Sequence, residues 1–94
     1  MIFDPQKVAV VADWLKEAFP DFNVYDTEDT RTISWSYRLD DGRNVRHRVV
    51  VTKTFFDDHD VGAIRDRLTM WGLQTAMRRA GTGRVTVETH GIES

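Results

Sequence analysis

The run Thr32-Ile33-Ser34-Trp35-Ser36-Tyr37-Arg38-Leu39 alternates polar and apolar residues without a fault over eight positions. Successive side chains of a strand point to opposite faces, so this pattern describes a strand with one face buried and one face wet. Asp40-Asp41-Gly42 follows as a turn, and Val45 to Thr54 forms a second run rich in β-branched residues. These two strands oblige the chain to build a sheet and to cover one side of it.

The turn sets the register, because a slip of one residue would move every side chain to the other face. A two-residue Asp41-Gly42 turn places Arg38 against Val45, polar beside apolar. A three-residue loop with Gly42 in the left-handed position places Leu39 opposite Arg43, Tyr37 opposite Val45 and Ile33 opposite Val49. The reading therefore expects Ile33, Trp35, Tyr37, Val45, Val49 and Val51 on the core face. Ser34, Ser36, Arg38, Arg46 and Arg48 gather on the other, with Ser36 opposite Arg46 and Ser34 opposite Arg48. His47 takes the apolar parity, opposite Trp35.

The cover comes from helices. Asp4-Pro5 is a helix start, with Val8, Val11, Ala12, Leu15 and Phe19 as one apolar stripe and Pro20 as the stop. Phe22 to Asp26 reads as a short strand, followed by a turn at 27–30. A second helix is expected over about 60–80, entered through Asp57-Asp58-His59-Asp60, with Asp57 or Asp58 as its cap. Its apolar residues fall on two arcs, so it wants two partners; Gly72 is a place for a kink. Val85 to Thr89 is a last strand, and the chain after His90 is expected to fray. The whole, residues 1–94, is expected to be one α+β domain: an antiparallel sheet of three to four strands with two helices on one face, in the order α-β-β-β-α-β.

The chain contains no cysteine, which removes disulfides and cysteine-based zinc sites. It must hold together by packing, and its three Trp, five Phe and two Tyr supply the apolar area. No apolar run approaches the roughly 20 residues of a membrane span, and residues 1–5 do not read as a signal peptide. A cytoplasmic protein without membrane contact is the expectation.

Net charge is −2, but its distribution is uneven. Residues 1–30 carry seven acids and two lysines; residues 31–53 carry six bases and two acids; residues 54–94 carry five bases and six acids. The basic block coincides with the paired strands. A face of Arg38, Arg46 and Arg48 with Ser34 and Ser36 can grip phosphates through bidentate guanidinium contacts, or simply keep an open sheet in water. No aromatic is expected on that face to stack an unpaired base. Double-stranded RNA-binding domains share the order helix, three strands, helix, but set lysines at the start of their second helix, where this chain has Asp57-Asp58-His59-Asp60. The match is declined.

No nucleophile elbow, phosphate-binding glycine loop or metalloprotease motif is present, so no catalytic residue and no cofactor is assigned. The aspartates at 57–60 read as a helix start, not a metal site, because the spacing of a calcium loop is missing. His59 and His90 read as surface residues. The second arc of the late helix, Met70, Leu73 and Met77, offers an adaptable apolar surface. The leading expectation is thus a small non-enzymatic interaction module (adaptor, regulator or partner-binding protein), homodimeric through that helix. The alternative is a nucleic-acid or polyanion binder using the arginine face.

Overall fold

The computed structural model describes residues 3–93, arranged as α1 (Pro5–Ala18), β1 (Asn23–Asp29), β2 (Ser34–Asp40), β3 (Val45–Thr52), α2 (Lys53–Asp58), α3 (Val61–Met70), α4 (Leu73–Ala80), β4 (Arg84–Glu88) and β5 (Gly91–Glu93). The α+β class is as expected. The sheet is larger, with five strands in the order β1-β2-β3-β4-β5, and it is mixed: β3 and β4 run parallel, the other neighbours antiparallel.

The parallel pair follows from the chain between them. Antiparallel strands can be joined by a tight turn, whereas a parallel return needs a crossover, and α2, α3 and α4 supply it. Val49 and Val51 then stand opposite Val85 and Val87, all four without solvent exposure. These valines form the centre of one core, which Val11 and Leu15 of α1, Phe55 and Phe56 of α2, Ile64 and Leu68 of α3, and Leu73 and Met77 of α4 complete. Each such buried side chain contributes about 1.5–3 kcal/mol relative to exposure.

The expected late helix is broken in two. Gly72 adopts a left-handed conformation (φ 71°), closing α3 after Met70 and restarting the chain as α4 at Leu73. A further short helix, α2, precedes both, because the Thr52 hydroxyl accepts from Phe55 N and ends β3 two residues early. Asp57 and Asp58 therefore lie inside α2. The cap of α3 is Asp60, whose carboxylate accepts from Ala63 N at 2.8 Å.

The β2–β3 register differs from the expected one by four residues. Tyr37 pairs with Val49 and Trp35 with Val51, with a bulge between Leu39 and Asp40; His47 stands opposite Leu39. Parity survives this shift, since four is even, so Tyr37, Val49 and Val51 still face the core. The longer loop is held by Asp41, whose carboxylate accepts from Arg43 N and Asn44 N. Ile33 is a correction: it lies in the β1–β2 turn with φ 52° and 52% exposure, not in the core. Val45 is only half-buried. The segment after His90, expected to fray, forms β5 and pairs with β4, Val87 opposite Ile92.

Helix α1 is tied to its neighbours by polar contacts as well as packing. The buried Tyr37 hydroxyl donates to Val8 O at 2.8 Å, Trp14 Nε1 donates to Thr69 Oγ1 at 3.0 Å, and Gln74 Nε2 donates to Ala18 O at 2.8 Å. With the core and all these ties on one side, the other side of the sheet is left bare.

Candidate anion-binding face

The strand registers place side chains of the bare face in rows. In the first row Tyr25 stands opposite Arg38, Arg38 opposite Arg48, and Arg48 opposite Arg84. The next row runs Thr27, Ser36, Val50, Thr86 and Glu93. The third holds Asp29, Ser34 and Thr52. The first row, the second as far as Thr86, and the third line a trough of about 860 Å³.

Three like charges thus occupy directly opposed positions on three adjacent strands, roughly 4.8 Å between neighbours. Such pairs oppose folding unless a counter-charge is supplied. The protein supplies little. Arg38 Nε lies 3.9 Å from Asp40 Oδ2, a distant pair, and its guanidinium sits 4.9 Å from the centroid of the Tyr25 ring. Among the described residues Arg48 and Arg84 make no ion pair. Both are exposed.

Acids border the row on both sides. Asp40 and Asp41 lie at the β2–β3 turn, and Asp29, Glu88 and Glu93 lie towards the opposite end of the face. The Glu88 carboxyl is raised above its ordinary 4.5 by the hydrogen bond and the charge of Glu93 beside it. For Asp29, burial works upward, but hydrogen bonds from Thr32 and Arg31 hold the carboxyl below its ordinary 3.8. The cationic stripe is accordingly one residue wide.

The residues expected on this face divide. Arg38, Arg48 and Ser36 line the trough, and Ser34, fully buried, closes its floor with its hydroxyl 2.6 Å from Thr32 Oγ1. Ser36 faces Val50, and Ser34 faces Thr52, in place of the arginines expected opposite them. Arg46 is the unpaired residue at the bulge, where its guanidinium meets Asp41 Oδ2 at 3.4 Å, and it does not line the trough.

Two residues of the site went unforeseen. Tyr25, 49% exposed, places an aromatic ring on a face expected to have none. Its signal was the parity of β1: Phe22 and Val24 pack against the core, so Tyr25 must point away. Arg84 shares the outward parity of Thr86 in a strand whose Val85 and Val87 face inward.

The second arc of the late helix is mostly interior. Leu73 and Met77 are 0% and 1% exposed because α4 packs on β3 and β4, and Met70 alone, at 61%, reaches solvent. Burial of Leu73 and Met77 leaves them no surface to offer a partner. Phe3 packs edge-on against Trp35 and Phe56. His47 donates its Nδ1–H to Gly81 O, 2.9 Å away, with Phe19 and Phe22 beside its ring. His59 donates its Nδ1–H to Phe55 O and meets Trp71 edge-to-face, and His90 lies in the β4–β5 turn.

Among the described residues no group of three or more His, Asp or Glu is placed to hold a metal ion, and no helix is long and apolar enough to cross a membrane. No family model, curated protein or solved structure matches the chain.

Proposed function

We propose that this protein is a non-enzymatic binding module that takes a polyanion on the open face of its sheet, with Arg48 and Arg84 as the principal contacts and Arg38 beside them. The observation that carries this reading is the row of three opposed guanidiniums, two of them without a carboxylate partner among the described residues, lining a trough. An anionic ligand supplies the missing counter-charge, and guanidinium forks suit phosphate oxygens in particular. Ser36, Thr27 and Thr86 add hydroxyls that donate to the same oxygens. A binding role is favoured over catalysis because the three histidines lie away from this trough, His47 and His59 packed against aromatic rings and His90 in the β4–β5 turn.

Self-association through Met70, Leu73 and Met77 has weaker support, with a single exposed side chain to build on.

The test is titration with inorganic polyphosphate of about six units, followed by calorimetry at low salt. Binding is expected to weaken at least tenfold in Arg48→Glu and in Arg84→Glu, and to change little in Arg46→Glu, whose side chain lies outside the trough. With about three charges neutralised, raising salt from 50 to 200 mM should cost roughly twentyfold to fortyfold in affinity. Equal losses in all three variants would mean that only net charge matters, which contradicts a defined site.

A further inference from the structure

We infer that the polyanion is single-stranded nucleic acid, lying across the strands with one base on Tyr25 and its phosphates on Arg48 and Arg84; this rests on the polyanion reading above. Two observations separate it from other anions.

The first is the aromatic. Tyr25 ends the arginine row, half exposed, with the Arg38 guanidinium held 4.9 Å from its ring centroid. A phosphate or carboxylate has no use for a ring, whereas an unpaired base stacks on aromatic faces and on guanidinium planes alike. The guanidinium lies over one face of the ring, so a base stacks on the outer side of this pair at the end of a line of cations. From Tyr25 to Arg84 the line crosses three strand spacings, roughly 14 Å, the reach of a di- or trinucleotide.

The second is the width of the cationic stripe. Asp40 and Asp41 flank it at the β2–β3 turn, and Asp29, Glu88 and Glu93 face it across the hydroxyl row. One phosphate backbone fits along the stripe. The second backbone of a duplex would meet carboxylates on either side, at a cost in repulsion. Between stripe and acids, Thr27, Ser36 and Thr86 offer hydroxyls to sugars, and Val50 offers an apolar floor.

The experiment is fluorescence anisotropy of an end-labelled hexathymidylate at low salt, with unlabelled hexathymidylate, a blunt mixed-sequence duplex and inorganic polyphosphate as competitors. The single strand is expected to compete better than the duplex. Tyr25→Ala should weaken hexathymidylate binding roughly tenfold, Tyr25→Phe should restore it, and neither should alter competition by polyphosphate. Because Tyr25 is half exposed and lies on the face away from the core, both variants should melt near the parent temperature, which a thermal scan checks. Equal binding by parent and Tyr25→Ala, or a duplex that competes as well as the single strand, overturns this inference while leaving the polyanion reading intact. Failure of polyphosphate and oligonucleotide together would overturn both.

Discussion

Arg48 stands directly opposite Arg84 across the parallel β3–β4 pair, and neither has a carboxylate within ion-pair distance among the described residues. Opposed like charges on adjacent strands are a local debt in folding free energy. The fold tolerates it because Val49, Val51, Val85 and Val87 are buried directly behind. That juxtaposition gives the sheet its binding character and also makes it sensitive to salt.

Replacing one of the pair with a neutral strand former should therefore stabilise the free protein. Arg84→Thr is expected to gain roughly 0.2–1 kcal/mol at low ionic strength, a gain that shrinks as salt screens the repulsion. Urea unfolding of parent and variant at low and high salt checks this. A loss of stability at low salt would mean that Arg84 contributes packing that outweighs the repulsion.

The late helices give a clear contrast between interior and surface. Leu73→Ala and Met77→Ala should each cost about 2–5 kcal/mol, since both side chains are in the core. Met70→Glu should change stability by no more than about 0.5 kcal/mol, being exposed and 3.9 Å from Arg67 Nη1 through its sulfur. Denaturant midpoints decide the matter. A severe loss of stability in Met70→Glu would make Met70 part of the core, whereas a change in particle size by sedimentation would restore the apolar arc as an interface.

Ile33 is β-branched, exposed and left-handed in φ, a conformation that costs such a residue about 1–2 kcal/mol. Its carbonyl accepts from Lys53 N at 3.2 Å, which ties the β1–β2 turn to the start of α2. Asparagine tolerates this backbone region, so Ile33→Asn should raise stability by about 1 kcal/mol with the Lys53 amide still protected from hydrogen exchange. A lower melting temperature would contradict the strained geometry.

The Glu88–Glu93 pair makes stability depend on pH with a definite sign. Glu88 holds its proton more tightly folded than unfolded, so it favours the native state below its ordinary 4.5 and loses that contribution as pH rises through the raised value. Glu93→Gln removes the neighbouring charge. The variant should be more stable than the parent at neutral pH and not at pH values well below the carboxylate range, with Glu88 titrating closer to normal by carbon-detected NMR. An unchanged Glu88 titration would rule out the contact.

Much of this fold could be read from the chain, for identifiable reasons. The alternation at 32–39 fixed which face of β2 is wet, and Asp4-Pro5 with Pro20 bounded α1 nearly to the residue. The β2–β3 register was not legible, because shifts by an even number preserve parity and only the Asx-type hydrogen bonds of Asp41 and the bulge choose between them. For the same reason Arg46 looked equivalent to Arg48. Arg84 was invisible as a partner because its neighbour in space is 36 positions away and depends on where a crossover of three helices delivers β4. Tyr25 could have been found from β1 parity alone.

The measurement that tests the account most directly is a titration with inorganic polyphosphate, followed through the arginine side-chain and backbone amide signals of the uniformly labelled protein. The account predicts shifts confined to the Nε–H groups of Arg38, Arg48 and Arg84 and to the amides of Ser36, Val50 and Thr86, all reversed by salt. Shifts centred on Arg65, Arg78 or Arg79 on the helical side, or none anywhere, would contradict it.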